Sequence, residues 1–263
     1  MGVAAAGRDL CYVLDVSGSM ATPIRGRPST RRGGGQLRRR GPATGRRPPA
    51  GRDPRDDADD DKDAFRGLAE LPWSKIRSRL DLVRDALSAS LRALDEDQRF
   101  AIVLFSDAAG PLPATRKPQR ATPANVKRAC KAIDGLVAGG GTNLHRGLEI
   151  GFGMTEGGVS LERAFVGEAH LLTGLDTIFV LTDGEPNQDS YSAGAAYVPG
   201  RLPSPRLTGG AFYAQSPNIL HALERMNLFR RAEIHCIGMG SSPRALLTGL
   251  AALGHGKAKF LGY

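Results

Sequence analysis

The chain has 263 residues, 41% of them hydrophobic, which suits one large domain or two small ones with a sizeable core. The formal charge is +9, but residues 21–63 hold 12 Lys and Arg against 7 Asp, so the basic character is largely local to that stretch. No apolar run approaches the roughly 18 residues of a membrane helix. The N-terminus lacks the basic start and long apolar core of a signal peptide, so a cytoplasmic location is expected. Cys11, Cys130 and Cys236 are isolated, with neither zinc spacing nor an even count for disulfides, and read as buried free thiols.

The first element in chain order is "LCYVLD" (10–15), a nearly continuous apolar run that fits a strand covered on both faces. It starts ten residues into the chain, so no other domain is expected ahead of it. It ends in Asp15 and is followed at once by Ser17, Gly18 and Ser19. Residues 21–70 come next, Arg/Gly/Pro-rich and then Asp-rich, with too little apolar content to offset the entropy of ordering. They are expected to be a disordered insertion. Apolar positions at 76, 80, 83, 87, 91 and 94 predict a helix over 73–94, with Pro72 ahead of it and Trp73 as a core anchor.

The run "FAIVLF" (100–105) predicts a second buried strand, and Ser106-Asp107 behind it a supporting turn. Thr122 and Pro123 mark the N-cap and first position of a helix over 123–137, with a stripe of Val126, Cys130, Ile133 and Val137. "GGGTN" (139–143) stops that helix and sets Thr142 at the start of another, near 143–152. His145 there reads as a surface or capping group. "TIFVLT" (177–182) is a third strand, followed directly by Asp183 and an exposed Glu185. Residues 185–215 read as a long loop insertion. Helices near 217–230 and 242–254 alternate with strands "EIHCIG" (233–238), where His235 is expected to be packed, and "AKFLGY" (258–263). Strands alternating with helices predict an α/β fold with an open, mostly parallel sheet.

In such sheets ligands bind beyond the carboxyl ends of the strands. Asp15, Ser17, Ser19, Thr142 and Asp183 all fall at such ends or in the loops leaving them. Carboxylate and hydroxyl oxygens are hard donors, suited to Mg²⁺, Mn²⁺ or Ca²⁺. Each hydroxyl taken singly fits an ordinary turn or helix cap; the five together favour a metal.

These pieces, in this order, resemble the metal-ion-dependent adhesion site (MIDAS) of von Willebrand factor A (VWA) domains of bacterial type. "DVSGSM" is similar to the family's first motif, "GGGTN" to its Thr loop and "LTDGEP" to its Asp loop. "VLFSD" (103–107) and "IHCIGMGSS" (234–242) resemble two of its core strands. The resemblance covers 10–20 and 73–263 and implies a Rossmann-like fold with helices on both faces. It implies that Ser17, Ser19 and Thr142 ligate the ion directly, with Asp15 and Asp183 bound directly or through water. An open position on the ion would then accept a carboxylate from a partner protein, a contact without chemistry.

Two other functions compete. A strand-end aspartate also begins phosphatases of the haloacid dehalogenase type, where it is the nucleophile, but these carry a second aspartate where this chain has Ser17. The Arg-rich residues 25–55 could bind nucleic acid by releasing counterions, although they lack interleaved aromatics and an acidic run follows them.

Overall fold

The computed structural model describes residues 7–24, 73–161, 175–190, 212–228 and 230–261. The stretch expected to be disordered lies outside these residues apart from its first four, as does the greater part of the 185–215 loop.

Strand β1 (Asp9–Asp15) is central. It pairs in parallel with β2 (Arg99–Phe105) on one side and β7 (Thr177–Thr182) on the other. The parallel sheet continues from β7 through β8 (Glu233–Met239) to β9 (Ala258–Leu261). Beyond β2, the short strands β3 (Ala109–Pro111) and β4 (Gln119–Arg120) add antiparallel edges. The sheet order is β3-β2-β1-β7-β8-β9, with β4 also on β2. A separate hairpin joins β5 (Met154–Thr155) and β6 (Gly158–Val159).

Side chains alternate across a strand, so β1 divides its residues between two cores. Leu10, Tyr12 and Leu14 enter one apolar cluster together with Leu80, Val83 and Leu87 of α1 (Arg79–Arg92) and Val126 and Ile133 of α2 (Pro123–Asp134). Cys11 and Val13 enter the other, with Leu148 of α3 (Leu144–Phe152), Leu223 of α4 (Ser216–Asn227) and Leu247 of α5 (Arg244–Leu253). Among the described residues two helices therefore cover one face and three the other, the Rossmann-like arrangement expected for continuous apolar strands. Among the described residues no helix is long and apolar enough to cross a membrane.

Two helix boundaries differ from the periodic reading. Helix α1 begins at Arg79 rather than in the Trp73 region, because Ser78 and Asp81 close a reciprocal capping box there. The segment before it is held to the loop after β1 by Ile24 N–H donating to Arg77 O at 3.0 Å and Arg79 N–H to Thr22 O at 3.1 Å. Trp73 packs half-buried against the first core. Helix α2 ends at Asp134, three residues short, since Gly135 caps it. Val137 therefore leaves the apolar stripe and is 82% exposed. All three cysteines are free and buried, as expected, and His235 is packed against Phe179.

Candidate functional site

The chain leaves β1 toward β2 on one side and reaches β7 on the other, so connections diverge at the carboxyl ends of β1 and β7. That is the topological switch point at which open α/β sheets place their ligands. Asp15 ends β1, and Asp183 follows the last residue of β7. Both are fully buried.

The loop after β1 turns immediately into a short 3-10 turn (Gly18–Ala21). Asp15 Oδ1 accepts the Ser17 N–H at 2.8 Å, and Asp15 Oδ2 accepts the Thr182 hydroxyl at 2.5 Å. Burial pushes the Asp15 carboxyl up to about 6, with the Asp183 charge adding to the rise and the hydrogen bonds from Ser17 and Thr182 opposing it. A cation in this site would favour the ionised form. With one oxygen on the Ser17 amide and the other on the Thr182 hydroxyl, Asp15 holds the start of the loop against the end of β7.

Ser17 and Ser19 hydroxyls meet at 3.0 Å, and Ser19 donates to Asp183 Oδ1 at 2.6 Å. The Thr142 loop is strapped to the same place. Gly18 N–H donates to Gly140 O at 2.9 Å, and Gly139 N–H donates to Val16 O at 2.8 Å. Gly140 takes a positive φ of 80°, and a Cβ there would stand 2.8 Å from the Asp107 carboxyl carbon. Asp107 Oδ1 in turn accepts the Gly141 N–H at 2.6 Å, which gives Ser106-Asp107 the supporting role expected.

The third loop closes the site. A Cβ built on Gly184 would lie 3.2 Å from Ser19 Oγ and 3.7 Å from Thr142 Oγ1. The bare glycine thus leaves a cradle flanked by hydroxyls from two different loops. All five predicted residues come to this one edge of the sheet. Among the described residues no group of three or more His, Cys, Asp and Glu gathers as a metal site. The set here has only two carboxylates and relies on hydroxyls, the hard, weakly charged donors that suit Mg²⁺ or Mn²⁺. The residues present fit such an ion.

Several members of the site escape the sequence reading. Arg79 Nη1 donates to Asp183 Oδ2 at 2.6 Å. Asn187 accepts the Thr142 N–H through Oδ1 at 2.8 Å and returns its own N–H to Thr142 O at 3.0 Å. Asn143 caps α3 and reaches Ser190 Oγ at 3.1 Å. The start of the 185–215 loop is therefore part of the scaffold under Thr142 and not an appendage beside it. Glu185 is exposed, as expected. His145 is not at the surface: it is buried, and its ring stacks on Tyr213 at 3.9 Å, because the residues just before α4 fold over the start of α3. A histidine beside an N-cap gives no local signal of such a cover.

Fold and site together define a von Willebrand factor A domain. The chain belongs to the von Willebrand factor type A domain family, whose sequence profile matches residues 73–198 and 207–260. The match begins after the first motif, and it is the fold that brings "DVSGSM" to the other two loops. Among solved structures the chain is similar to a von Willebrand factor type A protein from Catenulispora acidiphila, with 15% identity and a TM-score of 0.54 over 98% of this chain. It is also similar to the pilus adhesin SpaC from Lactobacillus rhamnosus GG, with 13% identity and a TM-score of 0.50 over 96% of this chain. Both likenesses bear on the fold alone. The chain spans 39% of the first structure's length and 28% of the second's. No curated protein matches the chain.

Proposed function

We propose that this VWA domain is a cation-dependent protein-binding module, with residues 1–263 forming one such unit. Asp15, Ser17, Ser19, Thr142 and Asp183 hold one divalent cation, Mg²⁺ or else Mn²⁺ or Ca²⁺ by donor chemistry. The observation that carries this reading is the hydroxyl-flanked cradle at Gly184, where Ser19 and Thr142 converge from separate loops. The ion supplies electrophilic charge at an open sheet edge, and the protein supplies few charges to quench it. Its natural complement is a carboxylate on a partner protein. Family membership supports an interaction role, and the pilus adhesin likeness agrees in fold.

Titration calorimetry with Mn²⁺ tests the metal assignment. Wild type is expected to take up one ion, and Thr142→Ala and Ser19→Ala are each expected to weaken uptake by about tenfold or more, the usual scale for a ligand or its orienting neighbour. The bridging role is tested by water proton relaxation of the Mn²⁺ complex. An aspartate-containing peptide that replaces the ion's bound water should lower the relaxation enhancement, and an amide-substituted peptide should not. Equal Mn²⁺ uptake by wild type and both variants would remove this site from consideration.

A further inference from the structure

We infer that Arg79 is a resident counter-ion of this site, one that competes with the divalent cation for Asp183 and so sets how tightly the ion is held. The inference rests on the metal reading above.

Asp183 is fully buried, and both of its oxygens are occupied: Oδ1 by the Ser19 hydroxyl at 2.6 Å, Oδ2 by Arg79 Nη1 at 2.6 Å. These two partners are not equivalent toward an arriving cation. A hydroxyl can donate to Asp183 and still offer a lone pair to the ion. A guanidinium has donors only and carries a full positive charge, so it cannot share the carboxylate without repulsion. Competition therefore falls on Arg79.

The guanidinium is seated and not passing by. Its side chain is 15% exposed, and it lies against the turn after β8, where Gly240 has a φ of 58°. A Cβ on Gly240 would stand 2.7 Å from Arg79 Cζ, so this seat exists only because the turn carries no side chain. Gly240 is itself pinned by its N–H donating to Leu261 O at 3.0 Å. The helix offers the guanidinium no help. Arg79 is the first residue of α1, where the positive end of the helix dipole disfavours a cation. What retains it is the Asp183 carboxylate and the space at Gly240. Its backbone root is fixed by the bond from its N–H to Thr22 O, so an ion that claims the carboxylate has only the side chain to displace.

Competition is reciprocal, so removing the guanidinium must raise cation affinity by the factor with which the ion displaces it. Mn²⁺ calorimetry on wild type, Arg79→Gln and Arg79→Lys is the test. Arg79→Gln is expected to bind roughly tenfold more tightly than wild type, and Arg79→Lys to fall between them. In ¹⁵N-labelled wild type, the Arg79 Nε–H resonance, identified by its loss in Arg79→Lys, should shift as Mg²⁺ is added. That readout stands even if Arg79→Gln does not fold. Wild-type uptake with equal or weaker binding in Arg79→Gln, or an Arg79 resonance that Mg²⁺ leaves unmoved while the ion binds, overturns the inference and leaves the metal reading intact. No Mn²⁺ uptake by wild type or by Arg79→Gln overturns the metal reading, and this inference with it.

Discussion

Residue types at the site do different jobs despite similar chemistry. Asp15 is spent on geometry, with one oxygen on the Ser17 amide and the other on Thr182. Asp183 is the carboxylate around which charge is balanced, between the Ser19 hydroxyl and the Arg79 guanidinium. The cysteines illustrate burial outweighing its opponents, Arg230 at Cys11 and a backbone hydrogen bond from Ala251 at Cys236. Desolvation pushes the Cys11 and Cys236 thiols up to about 12. Thiolate is the reactive form, so neither should react at neutral pH while the protein is folded. A thiol-reactive dye is expected to leave both unlabelled in native buffer and to label them once denaturant unfolds the chain. Fast labelling of either in the native state would show that its strand is open to solvent.

At the scale of elements, capping and burial override periodicity. The apolar stripe of α2 extends in sequence to Val137, but Gly135 ends the helix and Val137 is 82% exposed. Ile133, one turn earlier, is fully buried in the first core. Unfolding measurements should separate the two. Ile133→Ala is expected to cost about 2–5 kcal/mol, the range for a large aliphatic removed from a packed core. Val137→Ser is expected to stay within about 0.5 kcal/mol of wild type, as exposed positions do. A large loss at Val137 would mean that the face beyond α2 is covered by another part of the molecule.

For the whole molecule, the question is how a long Arg- and Asp-rich stretch enters the chain between β1 and α1 without disturbing either. The described ends of that connection are side by side. Pro23 bridges to Ser78, and Ile24 N–H donates to Arg77 O at 3.0 Å. A short link can therefore close the gap, and shortening a loop lowers its closure cost only slowly with length. Replacing residues 25–63 with a short Gly/Ser linker is expected to leave the melting temperature nearly unchanged and Mn²⁺ uptake intact. Loss of cooperative unfolding would instead assign those residues to the core.

What the sequence determined by itself was the class of fold and the three loops that matter. Continuous apolar runs such as "LCYVLD" and "TIFVLT" can only be satisfied by cover on both faces, and Asp15 and Asp183 follow where those runs stop. Ser17, Ser19 and Thr142 were legible for the same reason, because each lies within a few residues of a strand end or a glycine turn. What only the tertiary structure decided was everything that depends on distant partners. Arg79 is 104 residues from Asp183 and reads in sequence as one more basic residue on a helix. Asn187 supports Thr142 across 45 residues, and Tyr213 covers His145 from a turn before another helix. Periodicity and caps are local, set by neighbours within a turn or a strand. Charge pairing and burial are properties of a place in space, and that place exists only once the sheet has brought the ends of β1 and β7 together.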